Sequence, residues 1–311
     1  MMYLKAFMAM VLLLPICVRA QEQNQSQDPI QAPFVSFAKN GMAAQSAAAY
    51  GDYLVLVSNH VAKVGLYNLK KKKMACVRKL TPKIEFRGKI DIFHANNSSF
   101  GVSKYAETDY FPLLYVSHRE NIEKRGVLEV YRIEPYRRNK SSADYNSIDV
   151  SLVQTVYYPP MTDENALGSP WTAIDKEGNY MYTYSRNNRS KSPNRGVCRI
   201  SKFRIPEIER GDKVYLNEDD IIDSYEVDYK APLSQGACIH HGMLYIAQGV
   251  SPKKNLWLRV VDLEKRRLVR SYDLKAAGFP VEPEGCFVYK DKLILATASK
   301  MIFKVNIPLA Q

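Results

Sequence analysis

An order of short strand-like segments recurs five times along the chain, and this repetition constrains the fold more than any other feature. From Pro33 onward, runs rich in Val, Ile, Leu, Tyr and Phe alternate with clusters of Gly, Asn, Asp, Lys and Pro. No window sustains a helical period over three turns. Each unit has a polar opening residue, a short strand, a Leu-Tyr-Val-Ser type of strand and a strand ending in Val-Tyr or Val-Asp-Leu. Such repetition predicts an all-β propeller.

The spacing of the units predicts five blades. Their opening residues are Gln45, His94, Trp171, Gln235 and Glu284. An interval of 49 residues separates Gln45 from His94 and also Gln235 from Glu284, as equivalent blade positions require. The last unit is one strand short, and Phe34 to Ala38 is predicted to complete it and close the ring. A sixth blade would need a further unit inside the long second or third repeat.

The first 20 residues have the pattern of a secretory signal peptide. Lys5 precedes an apolar run from Ala6 to Val18, and the small Ala20 predicts cleavage before Gln21. The apolar run is shorter than the roughly 20 residues of a membrane-spanning helix. We therefore expect an exported protein, periplasmic or extracellular, without a transmembrane segment.

The rest of the chain is predicted to be a polar, flexible leader over 21–32 and one propeller domain over 33–311. Cys17 follows Ile16, where a lipidated cysteine needs a small residue, so we expect no lipid anchor. The formal charge of +12 becomes +10 when Lys5 and Arg19 leave with the signal peptide. The remaining basic clusters are Lys70–Lys73, Arg137–Lys140, Arg186–Arg199 and Lys265–Arg267.

These clusters coincide with predicted turns, so we interpret them as solvated loops. An anionic surface polymer, such as a polyanionic glycan or lipopolysaccharide, stays the alternative partner. Export argues against a nucleic-acid partner, and we expect a monomer. Four cysteines follow the signal peptide, too widely spaced for a Cys-x-x-Cys redox or zinc motif. Cys238 and Cys286 hold matching repeat positions, which suits either one disulfide or two buried thiols.

The opening residues predict the place of a site, because the innermost strand of each propeller blade begins at the channel mouth. Three tyrosines in the following strands could supply an aromatic wall; they are Tyr115, Tyr182 and Tyr245. Asn96 follows His94 at its blade opening, and Asp109 or Glu107 could orient the His94 imidazole. Convergent polar groups on an apolar wall are typical of a ligand pocket. The simpler alternative is a channel of ordered water. We expect no metal site and no cofactor.

The segment from Ser234 to Leu295 resembles a known repeat. The runs SQGACIHHGMLYIAQG, LRVVDLEKRRLV and EPEGCFVYKDKLIL look like the repeat of the plant and bacterial glutaminyl cyclases, which are five-bladed propellers. The same Gln-Gly and Glu-Gly spacing resembles receptor-binding propellers of phage tails and helveticin-like proteins. The cyclase resemblance implies that Gln235 helps to hold the substrate and that Glu284 is the catalytic proton shuttle. Ser234 and Pro283 stand where those cyclases have threonine and glycine.

Two classes of function follow. The first is a ligand-binding propeller that recognises a glycan or a peptide at the channel mouth. The second is a channel enzyme, with glutaminyl-peptide cyclisation as the specific candidate. A glycosidase of this architecture places three carboxylates in the channel, whereas the blade openings supply one. Glu282 lies two residues before Glu284, so both face one side of an extended strand and their like charges raise one pKa. Whether the protein is an enzyme stays open at this point.

Overall fold

We analysed a computed structural model of the chain. It describes residues 34–39, 42–58, 63–79, 85–86, 89–90, 94–139, 141–162, 167, 170–186, 196–230, 233–250 and 255–310. The predicted signal peptide over 1–20, with Cys17, and the predicted leader over 21–32 lie outside these residues. Within them no helix has the length and apolar character needed to cross a membrane.

Five sheets, each with four antiparallel strands, form the blades of a β-propeller, and one of them gains a fifth strand; this confirms the predicted fold. Blade 1 contains β2 (Ser46–Tyr50), β3 (Tyr53–Val57), β4 (Lys63–Asn68) and β5 (Lys73–Lys79). Blade 2 contains β8 (Ala95–Phe100), β9 (Leu114–Ile122), β10 (Arg125–Tyr136) and β11 (Ser147–Pro160). Blade 3 contains β12 (Trp171–Asp175), β13 (Tyr180–Arg186), β14 (Val197–Arg204) and β16 (Ile221–Lys230). Blade 4 contains β17 (Ser234–His240), β18 (Met243–Gln248), β19 (Trp257–Asp262) and β20 (Arg267–Asp273).

Blade 5 is built from both ends of the chain. It contains β21 (Pro283–Tyr289), β22 (Lys292–Thr297), β23 (Met301–Val305) and the N-terminal β1 (Phe34–Lys39). Strand β1 pairs antiparallel with β23, with Phe34 opposite Val305. The predicted closing strand is therefore confirmed, one residue longer than expected. Closure of this kind joins the N-terminal and C-terminal segments of the chain in one sheet.

The extra length of the second and third repeats forms additional elements rather than a sixth blade. Strand β15 (Lys213–Tyr215), from the third repeat, pairs parallel with β11 and widens blade 2 to five strands. The described residues also include a short hairpin of β6 (Glu85–Phe86) and β7 (Lys89–Ile90). Two 3-10 turns, Ile208–Arg210 and Glu218–Asp220, flank β15.

The hydrophobic core lies between the blades, which explains why the central strands are apolar on both faces. Every residue of β3 is buried. Tyr53, Val55 and Val57 pack in a cluster shared with blade 2, whereas Leu54 and Leu56 pack in a cluster shared with blade 5. Alternate residues of a strand point to opposite faces, so one strand serves both interfaces.

The innermost strands β2, β8, β12, β17 and β21 contact one another in a closed ring. Asn97 on β8 crosses the axis of this ring. Its side-chain amide donates to the carbonyl oxygens of Thr172, at 2.7 Å, and Ala237, at 3.1 Å. Its Oδ1 accepts the Ala237 N–H at 3.1 Å. These bonds join blades 2, 3 and 4 and separate the channel into two ends. We call the end where the five inner strands begin the upper mouth, and the end where they finish the lower mouth.

Candidate functional site

The predicted opening residues all lie at the upper mouth by their positions in the inner strands. Gln45 and His94 immediately precede β2 and β8, and Trp171 is the first residue of β12. Gln235 and Glu284 are the second residues of β17 and β21. The repeat spacing therefore selects equivalent positions in the blades.

Two glutamine–glutamate hydrogen bonds join three of the blades at this mouth. The Gln45 side-chain amide donates to Glu284 Oε2 at 2.7 Å, which links blade 1 to blade 5. The Gln235 amide donates to Oε1 of Glu282 at 2.6 Å, which links blade 4 to the residue before β21. The structure thus brings together Gln45, Gln235 and Glu284 from three separate repeats, with Glu282 as a fourth member.

Irregular strand pairing positions two of the opening residues, Gln235 and Glu284, and also Asn96. The register between β21 and β22 shifts between Pro283 and Gly285, at Glu284. A second shift, between Ser234 and Ala237, includes Gln235, and a third lies at Asn96 on β8. A β-bulge leaves a residue out of the regular ladder and re-aims its side chain. Bulges therefore orient the side chains of Gln235, Glu284 and Asn96 at the upper mouth.

Glycines after the two motif residues allow the inner strands to approach closely. A Cβ on Gly236 would lie 2.6 Å from the Glu284 carbonyl oxygen and from the Gly285 Cα. A Cβ on Gly285 would lie 2.7 Å from the Ala47 Cβ. The glycines of the Gln-Gly and Glu-Gly pairs thus allow blades 4, 5 and 1 to pack closely. The same pairs place the Gln235 and Glu284 side chains at the mouth.

The carboxyl group of Glu284 is in an unusual electrostatic environment. The side chain is only 3% exposed. Burial, with a smaller contribution from the negative charge of Glu282, raises the pKa of Glu284 to about 9. Burial also raises the pKa of Glu282. Within the described part of the chain neither acid forms an ion pair with a lysine or an arginine. Glu284 is accordingly a neutral acid at pH 7 that can both donate and accept a hydrogen bond.

Three more polar groups are buried where the inner strands begin. The Ser46 hydroxyl, the Asn96 Nδ2 and the Trp171 indole N–H make no hydrogen bond in the described part of the chain. They belong to strands β2, β8 and β12 of blades 1, 2 and 3, whereas Gln235 and Glu284 belong to blades 4 and 5. Buried donors are normally paired, so unpaired ones at a channel mouth are suited to bind a polar ligand or water.

The three predicted wall tyrosines are not brought together. Tyr115, Tyr182 and Tyr245 belong to three separate hydrophobic clusters between different blades. Trp171 is also mainly a packing residue, since it is 7% exposed and stacks on Tyr184 with ring centroids 6.3 Å apart. Period-two alternation places an aromatic ring on one face of a strand but does not say whether that face meets the channel or a neighbouring blade.

One of the two carboxylates that the sequence places near His94 has a defined partner in blade 2. Asp109 is held by the Arg132 guanidinium at 2.7 and 2.9 Å, which lowers the pKa of the Asp109 carboxyl. Glu107 is exposed and His94 is half-buried.

A buried histidine–carboxylate pair that the sequence pattern does not reveal lies further along blade 2. His118 Nε2 lies 2.8 Å from Oε2 of Glu129, and the Tyr131 hydroxyl donates to the same oxygen. His118 and Glu129 stand 11 residues apart on the adjacent strands β9 and β10. Strand pairing would have to be known in advance to find them.

Cys238 and Cys286 are free thiols whose sulfur atoms lie 3.6 Å apart. They line the lower mouth, on the far side of Asn97 from Glu284. Burial and the neighbouring Cys238 raise the pKa of the Cys286 thiol. The matching repeat positions of the two cysteines do bring them together.

Comparisons with known proteins do not place the chain in a family. No family model matches the sequence, and no curated protein matches it. Among solved structures, the chain is similar to a Myxococcus xanthus glutaminyl cyclase, with 11% identity and a TM-score of 0.49, over 89% of this chain and 95% of that one. It is also similar to a luciferin-regenerating enzyme, with 12% identity and a TM-score of 0.38, over 85% and 73% of the two chains. A Kuenenia stuttgartiensis hydrazine synthase matches with 8% identity and a TM-score of 0.38, over 80% and 60%. The five-bladed assignment rests on the strand pairing of this chain.

Proposed function

We propose that this protein binds a ligand at the upper mouth, and that the ligand is a peptide recognised by its N-terminal amine. The observation that carries the proposal is the Glu282–Glu284 pair, two carboxyl groups within three residues of which one is 3% exposed. No lysine or arginine of the described chain neutralises them. When a carboxyl group here is ionised, a site of this kind is complementary to a cation brought by the ligand.

The glutamine partners support binding of a peptide in a defined orientation. Gln45 and Gln235 hold one oxygen of each carboxyl group, at 2.7 and 2.6 Å. Gln235 also donates to the Gly249 carbonyl at 3.3 Å, which fixes its amide plane. The unpaired donors of Ser46, Asn96 and Trp171 are suited to donate hydrogen bonds to peptide carbonyl oxygens.

Binding of an amine should depend on pH in a particular way. Below about pH 8 both the free α-amine and the Glu284 carboxyl carry a proton, so formation of the ion pair releases one proton. Affinity should therefore rise with pH until the amine reaches its pKa. Above the Glu284 pKa of about 9 both groups are deprotonated and affinity should fall. The maximum is expected between about pH 8 and pH 9.

Calorimetry with one peptide in two forms tests the proposal. A peptide with a free N-terminus should bind the purified protein at least tenfold more tightly than its N-acetylated form. Glu284→Gln should lose that preference, because the glutamine side chain has the same size as that of glutamate but cannot become an anion. Glu264→Gln, which removes an exposed acid from the β19–β20 turn, is the matched control and should retain it. Equal affinity for both peptide forms would reject the amine, and tight binding of a neutral oligosaccharide instead would identify a glycan site.

A second candidate function is cyclisation of an N-terminal glutamine, and the raised pKa of Glu284 favours it. In that reaction the α-amine attacks the glutamine side-chain carbonyl, the new N–C bond forms, and the C–N bond to ammonia breaks. In its ionised form, one carboxyl group can remove a proton from the attacking amine, and the acid so formed can return that proton to the departing ammonia. A carboxyl with a pKa of about 9 is close enough to that of an amine for transfer in both directions.

Mass spectrometry distinguishes binding from cyclisation. A Gln-initiated peptide incubated with the protein should lose one ammonia, and Glu284→Gln should reduce the rate at least a hundredfold. Glu264→Gln should convert the peptide at the wild-type rate. Absence of conversion by the wild-type protein would reject cyclisation and leave the peptide-binding proposal to the calorimetry.

A further inference from the structure

The lower mouth holds a second concave site with chemistry unlike that of the upper one. A cavity of about 220 Å³ lies where the inner strands finish. Its walls include the small side chains of Ala48 and Ser99 and the thiols of Cys238 and Cys286. The turns that follow β12 and β17 supply its rim, with Lys176, Glu177 and His240 among the lining residues.

Three potential metal ligands from two blades converge on this rim. Glu177 comes from the β12–β13 turn of blade 3, and His240 and His241 come from the β17–β18 turn of blade 4. One ligand atom from each lies within 4.8 Å of the others. His241 Nδ1 is 2.8 Å from Oε1 of Glu177, and the two imidazole centroids are 4.1 Å apart.

The backbone explains how consecutive histidines come to face one cation. In a regular strand their side chains would point to opposite faces. Here β17 ends at His240, and the turn continues with His241 at a φ of 46° and Gly242 at 69°, the left-handed pair of a tight hairpin turn. The turn rotates His241 back beside His240, so both imidazoles lie on the cavity side.

The turn that carries Glu177 is fixed as well. Asp175 Oδ1 accepts the N–H groups of Glu177 and Gly178, both at 3.2 Å. A side chain that bonds its own turn in this way holds the following residues in place. Both halves of the cluster are therefore positioned by backbone conformation and not by their contact with one another.

We propose that Glu177, His240 and His241 bind a divalent transition-metal cation of the zinc class at the lower mouth. Imidazole nitrogen with one carboxylate oxygen is a ligand set that suits zinc, cobalt, nickel and copper, whereas calcium and magnesium prefer oxygen ligands alone. Tetrahedral zinc keeps its ligand atoms about 3.4 Å apart, and small side-chain rotations bring this cluster to that spacing. Three protein ligands leave one coordination position for water or a ligand in the cavity.

This site is independent of the proposed function, since it shares no residue with the upper mouth. The cation would join blades 3 and 4 at the end of the channel opposite Glu284. The competing interpretation of the same residues is an ion pair between a protonated His241 and Glu177 on an exposed rim, with no affinity for metal.

Calorimetric titration of zinc into tag-free, chelator-treated full-length protein at neutral pH tests the site. We expect saturable binding of one zinc ion per chain. Cobalt should occupy the same position and give the visible absorption of a tetrahedral complex, and excess zinc should remove that absorption. Calcium and magnesium at equal concentration should not compete. Absence of one-site zinc binding, or displacement of zinc by calcium, would overturn the proposal.

Substitution of each ligand assigns the site to these residues. His240→Ala, Glu177→Gln and His241→Asn should each weaken zinc binding at least tenfold; asparagine is chosen because it tolerates the positive φ of His241. His94→Gln and Glu264→Gln, which remove a histidine and an acid elsewhere, should bind within twofold of wild type. The thermal midpoint of each metal-free variant confirms that it folds. Wild-type affinity in His240→Ala and His241→Asn would place any bound zinc elsewhere.

Discussion

The two mouths of the channel are built from the same five strands, yet they arrange acids in opposite ways. At the upper mouth Glu284 is 3% exposed and its pKa is raised to about 9. At the lower mouth the Glu177 side chain is 56% exposed and pairs with His241. The first acid is neutral and bound to an amide, and the second is exposed to solvent beside a base.

The difference follows from which part of the strand supplies the residue. Glu284 lies at a bulge of an inner strand, where Gly236 and Gly285 bring neighbouring strands close together. Glu177 lies in the turn between β12 and β13, where its side chain is exposed to water. One propeller can therefore present a proton-holding site at one end and a metal-ligand site at the other.

The largest expected effect is on the pH dependence of the free energy of unfolding, which tests the contrast between the two mouths. Glu284 has a folded pKa of about 9 against an ordinary value of 4.5, so the folded protein holds its proton after the unfolded chain has lost it. Its contribution is complete below about pH 4.5 and declines by roughly 1.4 kcal/mol per pH unit up to about pH 9. Glu284→Gln removes the decline, and the variant should gain on the order of 5 kcal/mol relative to wild type between pH 5 and pH 9.

Urea denaturation at several pH values gives this difference directly. Glu264→Gln, the exposed control, should follow wild type at every pH. A constant offset between Glu284→Gln and wild type across the range would mean that Glu284 is ionised in the folded protein, and the contrast between the two mouths would then fail.

A second test concerns the close strand approach that excludes water from the upper mouth. Gly236→Ala would place a Cβ 2.6 Å from backbone atoms of Glu284 and Gly285, and we expect a loss of about 3 kcal/mol in the free energy of unfolding. Gly65→Ala is the matched control, because its Cβ would meet only the flexible sulfur atoms of Met42 and Met74 at 3.3 Å. It should cost less than about 1 kcal/mol. Equal losses in the two variants, measured by urea denaturation, would contradict the packing role of the Gln-Gly motif.

The third prediction concerns Asn97, which separates the two mouths. Asn97→Ala removes a donor from the Thr172 and Ala237 carbonyls and an acceptor from the Ala237 N–H. Leaving these buried groups unpaired should cost about 2 kcal/mol in the free energy of unfolding. Asn139→Ala, in an exposed turn, should change it by less than about 0.5 kcal/mol. If Asn97→Ala matched this control, the amide would not be holding the blades together across the axis.

The sequence predicts the architecture and half of the upper mouth because both depend on repetition. Equal intervals mark equivalent blade positions, and these intervals alone are enough to place Gln45, Gln235 and Glu284 at one end of the ring. The one-strand deficit of the last unit similarly predicts the closing role of the strand that begins at Phe34.

What the sequence does not reveal depends on contacts between blades and on local backbone angles. Alternation places Tyr115 and Tyr245 on a strand face but cannot say that this face meets another blade. The His118–Glu129 pair needs the register between β9 and β10. If the segment is interpreted as a continuous strand, the side chains of the adjacent His240 and His241 should point to opposite faces. Only the positive φ of His241 shows that they lie on the same side.

The smallest expected effect concerns the exposed acid of the lower mouth. Without metal, the His241 and Glu177 side chains lie 2.8 Å apart and are 46% and 56% exposed, so a double-mutant cycle of His241→Asn and Glu177→Gln should give a coupling below about 0.5 kcal/mol. The same cycle with zinc present should give a much larger coupling, because both residues then bind one cation and loss of either weakens the other. Urea denaturation with and without zinc measures both values. A coupling above about 2 kcal/mol without metal would show that the His241–Glu177 contact itself stabilises the lower mouth. The contrast between an exposed, weakly coupled acid there and the buried Glu284 would then fail.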